Sequence, residues 1–531
     1  MSKQTDSGGL DIDRRKYLSG SAAVGALTLG AGNAAAGDEN DDTKKDDTKK
    51  DKEVTYITEC PYVIKEPGYY KIAKELTVDD GACITIHASN VTLDGGNHLI
   101  KCDDGNNFNN TFPVVADNDD SVSAREESLE ALDDWDGPDY FPFQSGTTGV
   151  LVRPKDDKKP GKKPEKNYLK NVTIKNLNVR YCDTGIAFYN TKNGRIKKVK
   201  AKQNYRGIYL FQSKKNTLYK NRAEKNWYGY HLLDSSSNVL KRNVAVNGYR
   251  GLCLDRLGTG SNRNVVYGTT ASYNVSGVRM NGSYKNSLKK NRCTKNLSGI
   301  YVVGCKKNDL KHNKATKNLY NGIRMYDSYK NTLYQNDASK NIGTGVRLLE
   351  SSSNTLKGNT ASENHYSFGI RLTDSHSNTV SGNYANQNWF TNIHFGNSHK
   401  NTIKKNSVNG SRNHGIQLFR SHQNHISKNT AKKNGWYGYR LGQSKWNSGR
   451  GNTAKENDIG PVAISGGQGT NKIEVNGDWY GSQSGAASTD ELQMVEVVDV
   501  DFFDQDSRTE LVEVAERSAI DEAADLELAD E

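Results

Sequence analysis

Three arginines in the middle of the chain stand 23 or 24 residues apart, and each is followed three residues later by an acidic residue. The pairs are Arg324 with Asp327, Arg347 with Glu350, and Arg371 with Asp374. Stacked guanidinium groups suit the carboxylates or sulfates of an acidic polysaccharide. Carboxylates held close together repel, which raises the pKa of one and favours an acid–base pair of the kind glycosidases use. The alternative is that the two columns only neutralise each other on the surface.

Two further arginines and a set of aromatic residues extend this candidate binding surface. Arg279 and Arg440 occupy the same position of the repeat as the three central arginines. The aromatic candidates lie in the turn that precedes each strand: Trp227, Tyr228, Trp389 and Trp436. Exposed rings there would stack on sugar faces. The alternative is that they pack against one another and cover the corner of the fold.

Three histidines are the candidate metal ligands. His376, His399 and His422 each precede a repeated asparagine by two residues, in successive repeats. We expect them to form a ladder in which adjacent imidazoles tilt onto one copper or zinc ion. The alternative is a chance run of surface histidines. Copper and calcium are the metals considered for this chain, no cofactor is firmly indicated, and no compact Cys/His zinc motif is present.

These columns exist because the chain is repetitive, with an average period of 23 residues. The repeat is marked by thirteen asparagines: Asn171, Asn193, Asn216, Asn238, Asn264, Asn286, Asn308, Asn331, Asn354, Asn378, Asn401, Asn424 and Asn447. Each unit also contains glycine followed by alternating apolar residues, as in Gly322-Ile323-Arg324-Met325. The alternation predicts a short strand with one buried face. Three strands and three turns make one triangular coil, and coils stack at about 4.8 Å.

The asparagines have two predicted roles. Asparagine tolerates left-handed backbone in turns, and asparagines in register satisfy one another's amides in ladders. We therefore predict an all-β, right-handed parallel β-helix solenoid of about 13 or more coils of about 23 residues. Mean hydropathy is -0.82 and only 34% of residues are hydrophobic, which suits a solenoid better than a large globular core.

The repeat resembles the right-handed parallel β-helix of the pectin-lyase-like superfamily. It is most similar to the NosD-like periplasmic copper-binding group, also described as carbohydrate-binding proteins and sugar hydrolases. Segments 66–70, 83–86 and 90–97 look like the opening coils of exported members. The resemblance covers about residues 55–475 and implies an extracytoplasmic location and a glycan ligand. It does not select a reaction, because the fold hosts lyases, hydrolases, epimerases and plain binding proteins.

The composition divides the chain into six segments. Residues 1–36, with Arg14 and Arg15 before a mildly apolar run, resemble a twin-arginine signal, so we expect a secreted or cell-surface protein with no transmembrane span once mature. The segments that follow are a charged linker (37–53), an N-terminal cap with the first coils (54–102), an acidic loop insertion (103–146), the repeats (147–475) and an acidic tail that could form a helical cap (476–531).

The seven cysteines include one candidate disulfide, between Cys60 and Cys83, with Cys102 as a competing partner. Export permits such a bond.

The net charge of +11 is unevenly distributed. The insertion holds 12 acidic residues and 1 basic one, and residues 490–531 hold 16 and 2, so the repeats themselves are strongly basic. A basic body attracts polyanions. Export and the lack of a nucleic-acid-binding motif argue against nucleic acid.

We therefore expect a protein that binds an acidic polysaccharide or cell-surface glycan. A further hypothesis is that the protein also cleaves or modifies this ligand. If it is an enzyme, it is a polysaccharide lyase, glycoside hydrolase or epimerase. The alternatives are a NosD-like copper-handling protein and a non-catalytic adhesion rod. The sequence does not indicate an oligomeric state.

Overall fold

The structure is a computed structural model that describes residues 53–102, 146–155, 167–467 and 469–481. The predicted signal segment, nearly all of the linker, the acidic insertion and most of the acidic tail lie outside these residues. The described residues contain strands and no helix. Accordingly, no helix that could span a membrane is found in this part of the chain.

One face of each coil belongs to a 16-stranded parallel sheet, and each of its strands pairs in register with the strand one coil later. Its strands are Tyr62–Ile64, Ala82–Ile86, Thr148–Val152, Thr184–Tyr189, Arg206–Phe211, Tyr228–Leu233, Arg250–Asp255, Ser276–Asn281, Ser298–Val303, Ile323–Tyr326, Val346–Leu349, Ile370–Thr373, Ile393–Gly396, Ile416–Phe419, Tyr437–Gly442 and Gly460–Ser465. The chain is thus an all-β parallel solenoid of about 16 turns. The predicted right-handed parallel β-helix class is confirmed, with a few more coils than the asparagines mark.

The other faces form a 25-stranded sheet, parallel except for its last pair, which is antiparallel. Its strands are Val54–Ile57, Gly68–Ile72, Leu76–Val78, Val91–Asp94, Leu99–Cys102, Thr173–Arg180, Arg195–Lys202, Thr217–Tyr219, Arg222–Glu224, Val239–Lys241, Val244–Val246, Val265–Tyr267, Thr270–Ser272, Ser287–Lys289, Arg292–Thr294, Asp309–Lys311, Thr332–Tyr334, Thr355–Lys357, Thr379–Ser381, Thr402–Lys404, His425–Ser427, Thr430–Lys432, Ser448–Lys455, Lys472–Val475 and Asp478–Tyr480. A further two-stranded sheet pairs Leu169–Lys170 with Thr191–Lys192.

The core is a column of apolar side chains inside the coils. Ile323 and Met325 are fully buried, while Arg324 between them lies on the outward face. Close packing requires the glycine that precedes strands such as Val346–Leu349. A Cβ on Gly345 would lie 2.7 Å from the carbonyl oxygen of Gly369 and 2.6 Å from that of Ala338. A larger residue would push adjacent coils apart.

Eleven of the thirteen repeated asparagines, from Asn216 to Asn447, are buried in the coils and form a ladder, as predicted, and these eleven do not themselves occupy the left-handed turn positions. The longest ladder contains Asn216, Asn238, Asn264, Asn286, Asn308, Asn331, Asn354, Asn378, Asn401, Asn424, Asn447 and Asn471. In each step the Oδ1 atom accepts the backbone N–H of the preceding asparagine at 2.7–3.0 Å. Because the side chain turns inward to accept this bond, the residue before it adopts positive φ, as Lys330 does at 57°.

The first two predicted markers are out of phase with this ladder. Asn171 and Asn193 have positive φ themselves, and Gly194 takes the ladder position next to Asn216. A ladder of small hydroxyl side chains, not predicted from the sequence, runs through the coils beside the asparagines. In it, Ser328 donates its backbone N–H to Ser351, and Cys305 substitutes for a serine by accepting from Ser283 through sulfur.

The structure pairs Cys60 with Cys83 and Cys102 with Cys182. Cys102, the competing partner in the sequence interpretation, is therefore used by Cys182, which was not among the candidates. The second bond joins residues 80 positions apart. It connects the first coils to the repeats that follow residue 167.

We predict that Asn336→Ala lowers the free energy of unfolding by about 3 kcal/mol. The Oδ1 atom of Asn336 accepts both the backbone N–H and the side-chain Nδ2 of buried Asn313, and a buried polar group without a partner costs about 1–3 kcal/mol. Urea unfolding followed by circular dichroism measures the change. The control is Gln335→Asn at the exposed neighbouring corner. Equal unfolding midpoints for both variants would contradict a stabilising role of the ladder.

Candidate functional site

The predicted column of arginines is present on the outward face of the 16-stranded sheet. Register pairs Arg324 with Arg347 and Arg347 with Arg371. The same column continues in both directions through Tyr209, His231, Cys253, Arg279 and Tyr301 on one side, and His394, Gln417 and Arg440 on the other. Each of these coils therefore contributes one side chain to the column.

The central arginines are partly exposed, and neighbouring rings support two of them. Arg324 places its guanidinium carbon 5.0 Å from the ring centre of Tyr301, and Arg371 lies 5.1 Å from that of Phe368. Both distances are within the range of a cation–π contact. Arg347 lies between them in the same register. The result is a row of three guanidinium groups, one per coil.

The early part of the column is covered rather than open. His231 is 5% exposed and Arg279 is 7% exposed, and the residues between and beside them are also buried. From the sequence, Arg279 was expected on the candidate binding surface, but in the structure it is buried. The alternation of apolar and polar residues predicts on which face of the sheet a side chain lies. It does not predict whether other side chains pack over that face.

Asp327, Glu350 and Asp374 lie at the corner where each strand ends, each with positive φ of 43–49°. Asp327 and Glu350 are exposed, and Asp374 is half-buried. Asp374 accepts a hydrogen bond from the side chain of Asn397 in the next coil. The carboxylates thus border the arginine face without lying on it. Their role as an acid–base pair stays a prediction.

A polar cluster at the early end of the column was not singled out from the sequence. The Nε2 atom of His231 lies 3.1 Å from the Oδ2 atom of Asp255, one coil later. The ring of Tyr228 stacks on that of His231 at 4.7 Å, and Arg250 donates a hydrogen bond to the Tyr228 hydroxyl at 3.0 Å. Burial alone would raise the pKa of Asp255, but the contact with His231 and the charges of Arg279 and Arg250 lower it below its ordinary value.

The aromatic candidates mainly pack against other side chains in the turns. Trp227 lies 6.2 Å from Tyr205 and 4.5 Å from Tyr249. The guanidinium of Arg412 lies over Trp389 at 3.2 Å from the ring centre. Tyr228 is buried, contrary to the expectation of an exposed ring, whereas Trp436 is exposed. Of the four candidates, Trp436 therefore retains the most free ring surface.

The three histidines form the predicted ladder, with hydrogen bonds that select one tautomer of each neutral ring. The rings of His376, His399 and His422 stack at 4.9 Å with interplanar angles of 3°. Each Nδ1 atom accepts a backbone N–H from the next coil at 3.0 Å. Since a backbone N–H only donates, Nδ1 carries no proton and each neutral ring presents Nε2–H. Burial lowers the pKa of His399, helped by its histidine neighbours, and burial and Lys445 lower that of His422.

The family model for the periplasmic copper-binding protein NosD matches residues 145–259, 257–374 and 362–477. These matches together span more than half of the chain. The chain belongs to the NosD family. Among curated proteins, no sequence matches this NosD-family chain.

Solved structures with similar coils give low scores. The periplasmic alginate epimerase AlgG is 15% identical, covers 58% of this chain and 77% of its own, and has a TM-score of 0.34. The A-module of the mannuronan C-5 epimerase AlgE6 from Azotobacter vinelandii is 13% identical, with coverages of 78% and 90% and a TM-score of 0.31. The Dettilon tailspike protein gp208 is 12% identical, with coverages of 58% and 62% and a TM-score of 0.34. At these values the likenesses say nothing about the activity of the NosD-family chain.

We predict that half-buried His394 and buried His414 make this NosD-family protein acid-sensitive. Burial lowers the pKa of His394 to about 3 and that of His414 to about 3, with Arg371 and Arg440 contributing to the respective shifts. The unfolded chain takes up these protons near pH 6.5 and the folded chain does not. Stability is therefore complete above about pH 6.5 and falls by about 1.4 kcal/mol per pH unit per histidine toward pH 3.

The measurement is the shift in melting temperature between pH 7 and pH 5. The His394→Gln, His414→Gln double variant should lose less stability than the unmodified protein over this interval. Glutamine is a suitable replacement at the first position because the next coil carries Gln417 there. The control is His425→Gln at an exposed site. An unchanged pH shift in the double variant would show that these histidines do not control it.

Proposed function

We propose that this protein is an extracytoplasmic glycan-binding protein that holds an acidic polysaccharide along the outward face of the 16-stranded sheet. The observation that carries the proposal is the in-register row of Arg324, Arg347 and Arg371. Coils repeat at about 4.8 Å, so the row offers a guanidinium group at each step along a bound chain. Guanidinium groups bind carboxylates and sulfates through two parallel hydrogen bonds.

The extracytoplasmic part of the proposal has two supports. The family to which the chain belongs is described as periplasmic. Two disulfides, between Cys60 and Cys83 and between Cys102 and Cys182, persist only in an oxidising compartment in most organisms. Secretion through a twin-arginine signal in residues 1–36 is part of the proposal.

We predict that the triple variant Arg324→Gln, Arg347→Gln, Arg371→Gln binds polygalacturonate at least about a hundredfold more weakly. A hydrogen bond to a charged group contributes about 1.5–3 kcal/mol, or roughly tenfold or more per arginine. Isothermal titration calorimetry at about 150 mM salt, close to physiological ionic strength, measures the affinity.

The matched control removes three positive charges elsewhere: Lys290→Gln, Lys405→Gln and Lys428→Gln. These lysines are exposed at corners of the 25-stranded sheet and share the same backbone conformation, with φ of 54–55°. Equal losses in the two triple variants would mean that only net charge attracts the glycan. Absence of binding by the unmodified protein across carboxylated and sulfated glycans would favour a non-catalytic adhesion rod.

A second candidate function is processing of the bound chain, favoured by the contact between His231 and Asp255. The Nε2 atom of His231 lies at an ion-pair distance of 3.1 Å from the Oδ2 atom of Asp255, and a carboxylate at this nitrogen favours the tautomer with a proton on Nε2 and leaves Nδ1 as the basic nitrogen. Such a base can remove the proton next to the carboxylate of a uronic acid, while Arg279 neutralises the charge that develops. Expulsion of the neighbouring glycosidic oxygen then gives a lyase product, and return of a proton to the other face gives an epimer. The groups that cover His231 must move aside to admit a sugar, because it is 5% exposed.

We predict that His231→Asn abolishes this processing while leaving binding at the arginine row within about twofold. Loss of a general base lowers rates about 10²–10⁴-fold. Incubation with polygalacturonate and polymannuronate should give either ultraviolet-absorbing unsaturated ends or a changed proton NMR spectrum of the uronic acids. Asp255→Asn should act in the same direction, and His425→Gln is the control. An unmodified protein that produces neither signal is a binder without this chemistry.

The family is described as copper-binding. In the folded protein, the histidine ladder does not fit a copper ion shared by two rings. Two nitrogens that bind one ion at about 2.0–2.1 Å lie at most about 4.2 Å apart. The rings are parallel and make the same backbone bond in each coil, so equivalent nitrogens lie about as far apart as the ring centres, which are separated by 4.9 Å and exceed this limit. Among the described residues, no group of three or more His, Cys, Asp or Glu side chains could hold a metal ion. Copper or calcium binding therefore stays a prediction, and no chemistry is derived through it.

A further inference from the structure

A shallow groove of about 540 Å³ lies along one corner of the late coils, beside the histidine ladder. It is lined by His399, Arg420, His422, Gln443, Lys445 and Trp446, together with Asn397 and Gly466. Every polar side chain in the lining can donate a hydrogen bond, and none is a carboxylate. The groove is therefore suited to a ligand that accepts hydrogen bonds and carries negative charge.

The fold sets the walls of the groove. Arg420 and Gln443 occupy successive strand-end corners with φ of 49° and 48°. The Nε atom of Arg420 donates to the Oε1 atom of Gln443 at 2.9 Å, which orients the guanidinium group along the groove. Asp374 is the carboxylate nearest in this corner column, and it accepts a hydrogen bond from Asn397.

The histidines form the opposite wall and are held by the backbone. The Nδ1 atoms of His399 and His422 each accept a backbone N–H at 3.0 Å. Nε2–H is consequently the ring donor available to a ligand. Stacking at 4.9 Å repeats this donor once per coil. Lys445 continues the wall in the next coil and adds a positive charge.

Trp446 is the unusual residue of the groove. It is 59% exposed and has φ of 56°, a conformation that is strained for a bulky side chain. Its ring lies 6.1 Å from that of His422 in an edge-on arrangement. The equivalent corner in other coils carries mainly small or flexible polar residues: Lys215, Ser237, Arg263, Lys285, Lys307, Lys330, Ser353, Ser377, Lys400 and Gln423. The turn does not require tryptophan at this position, so the conformation of the turn does not explain the exposed ring of Trp446.

We propose that this groove is a second glycan site, which binds a sugar unit bearing a sulfate or carboxylate group. Trp446 stacks on the apolar face of the sugar ring. Arg420 and Lys445 bind the anionic group, and the Nε2–H groups of the ladder donate to sugar oxygens. The site lies on the corner beside the sheet face that carries the arginine row, and it does not depend on that row for binding.

Trp446→Lys separates stacking from simple charge attraction. Lysine occupies the same corner in five other coils, so the fold tolerates it, and the substitution adds a positive charge. If the groove binds a sugar face, the affinity for a sulfated dextran oligosaccharide falls at least fivefold despite the added charge. If only charge attracts the ligand, the affinity rises or stays the same, and the proposal is overturned.

The charged wall is tested by the double variant Arg420→Gln, Lys445→Gln against Lys405→Gln, Lys428→Gln. Both doubles remove two positive charges, the second pair at a different corner. We expect at least tenfold weaker binding of sulfated dextran and of oligogalacturonate for the groove double, and less than twofold for the control. Equal effects would overturn the proposal. Neutral dextran measures stacking alone, and the melting temperature of each variant verifies folding.

The measurements are repeated on the Arg324→Gln, Arg347→Gln, Arg371→Gln background to separate the two sites. Residual binding that Trp446→Lys removes belongs to the groove. If the arginine triple binds as tightly as the unmodified protein while Trp446→Lys does not, the proposed arginine site fails and the groove stands. If Trp446→Lys does not change the residual affinity of the arginine triple variant, the groove proposal fails, regardless of the result for the arginine row.

Discussion

The hydrogen bond between a buried asparagine side chain and the backbone N–H of the preceding coil is the interaction on which the rest of the structure depends. A turn inside a solenoid buries backbone groups that the sheets cannot pair, and an unpaired buried donor costs about 1–3 kcal/mol. The Oδ1 atom of each asparagine satisfies one such donor, as Asn336 does for Asn313, and the serine ladder does the same in another turn. Register is thereby fixed at every coil. A slip by one residue would break these bonds and move the apolar residues out of the core.

The ladders also decide where other side chains are placed. Because the asparagine turns inward, the residue before it takes a left-handed conformation and projects at the corner, as Lys330 and Trp446 do. Between corners, strand alternation places Met325 inside and Arg324 outside. The scaffold thus produces straight columns of like chemistry, one residue per coil, without any special local structure. Both proposed glycan sites use such columns, one on the face of the 16-stranded sheet and one at its edge.

Much of the candidate site could be predicted from the period alone. Residues one period apart stack, so the arginine row and the histidine ladder follow from counting. Strand register confirms the arginine row, and ring stacking at 4.9 Å confirms the histidine ladder. The contact between His231 and Asp255 could not be found in this way. The two residues occupy different positions in their repeats and meet across adjacent coils, with Asp255 at the end of its strand. Only the stagger of side chains between neighbouring strands brings them within 3.1 Å. The burial of His231 and Arg279 could not be predicted either, because a periodic pattern assigns a side chain to a face of the sheet but does not give the exposure of that side chain.

By itself, the sequence determined the fold class, the approximate number of coils, the asparagine and histidine ladders and the residues that share a column. These properties follow from a repeat, because a fixed period and a fixed coil spacing leave little freedom. The tertiary structure decided which residue of each turn adopts positive φ, which cysteine pairs with Cys102, and how the imidazoles of His376, His399 and His422 are oriented. Those outcomes depend on competition for backbone hydrogen bonds and for space between coils. In the ladder, the backbone donors bind the Nδ1 atoms and leave rings that are stacked in parallel, which suits a row of hydrogen-bond donors better than a shared metal ion.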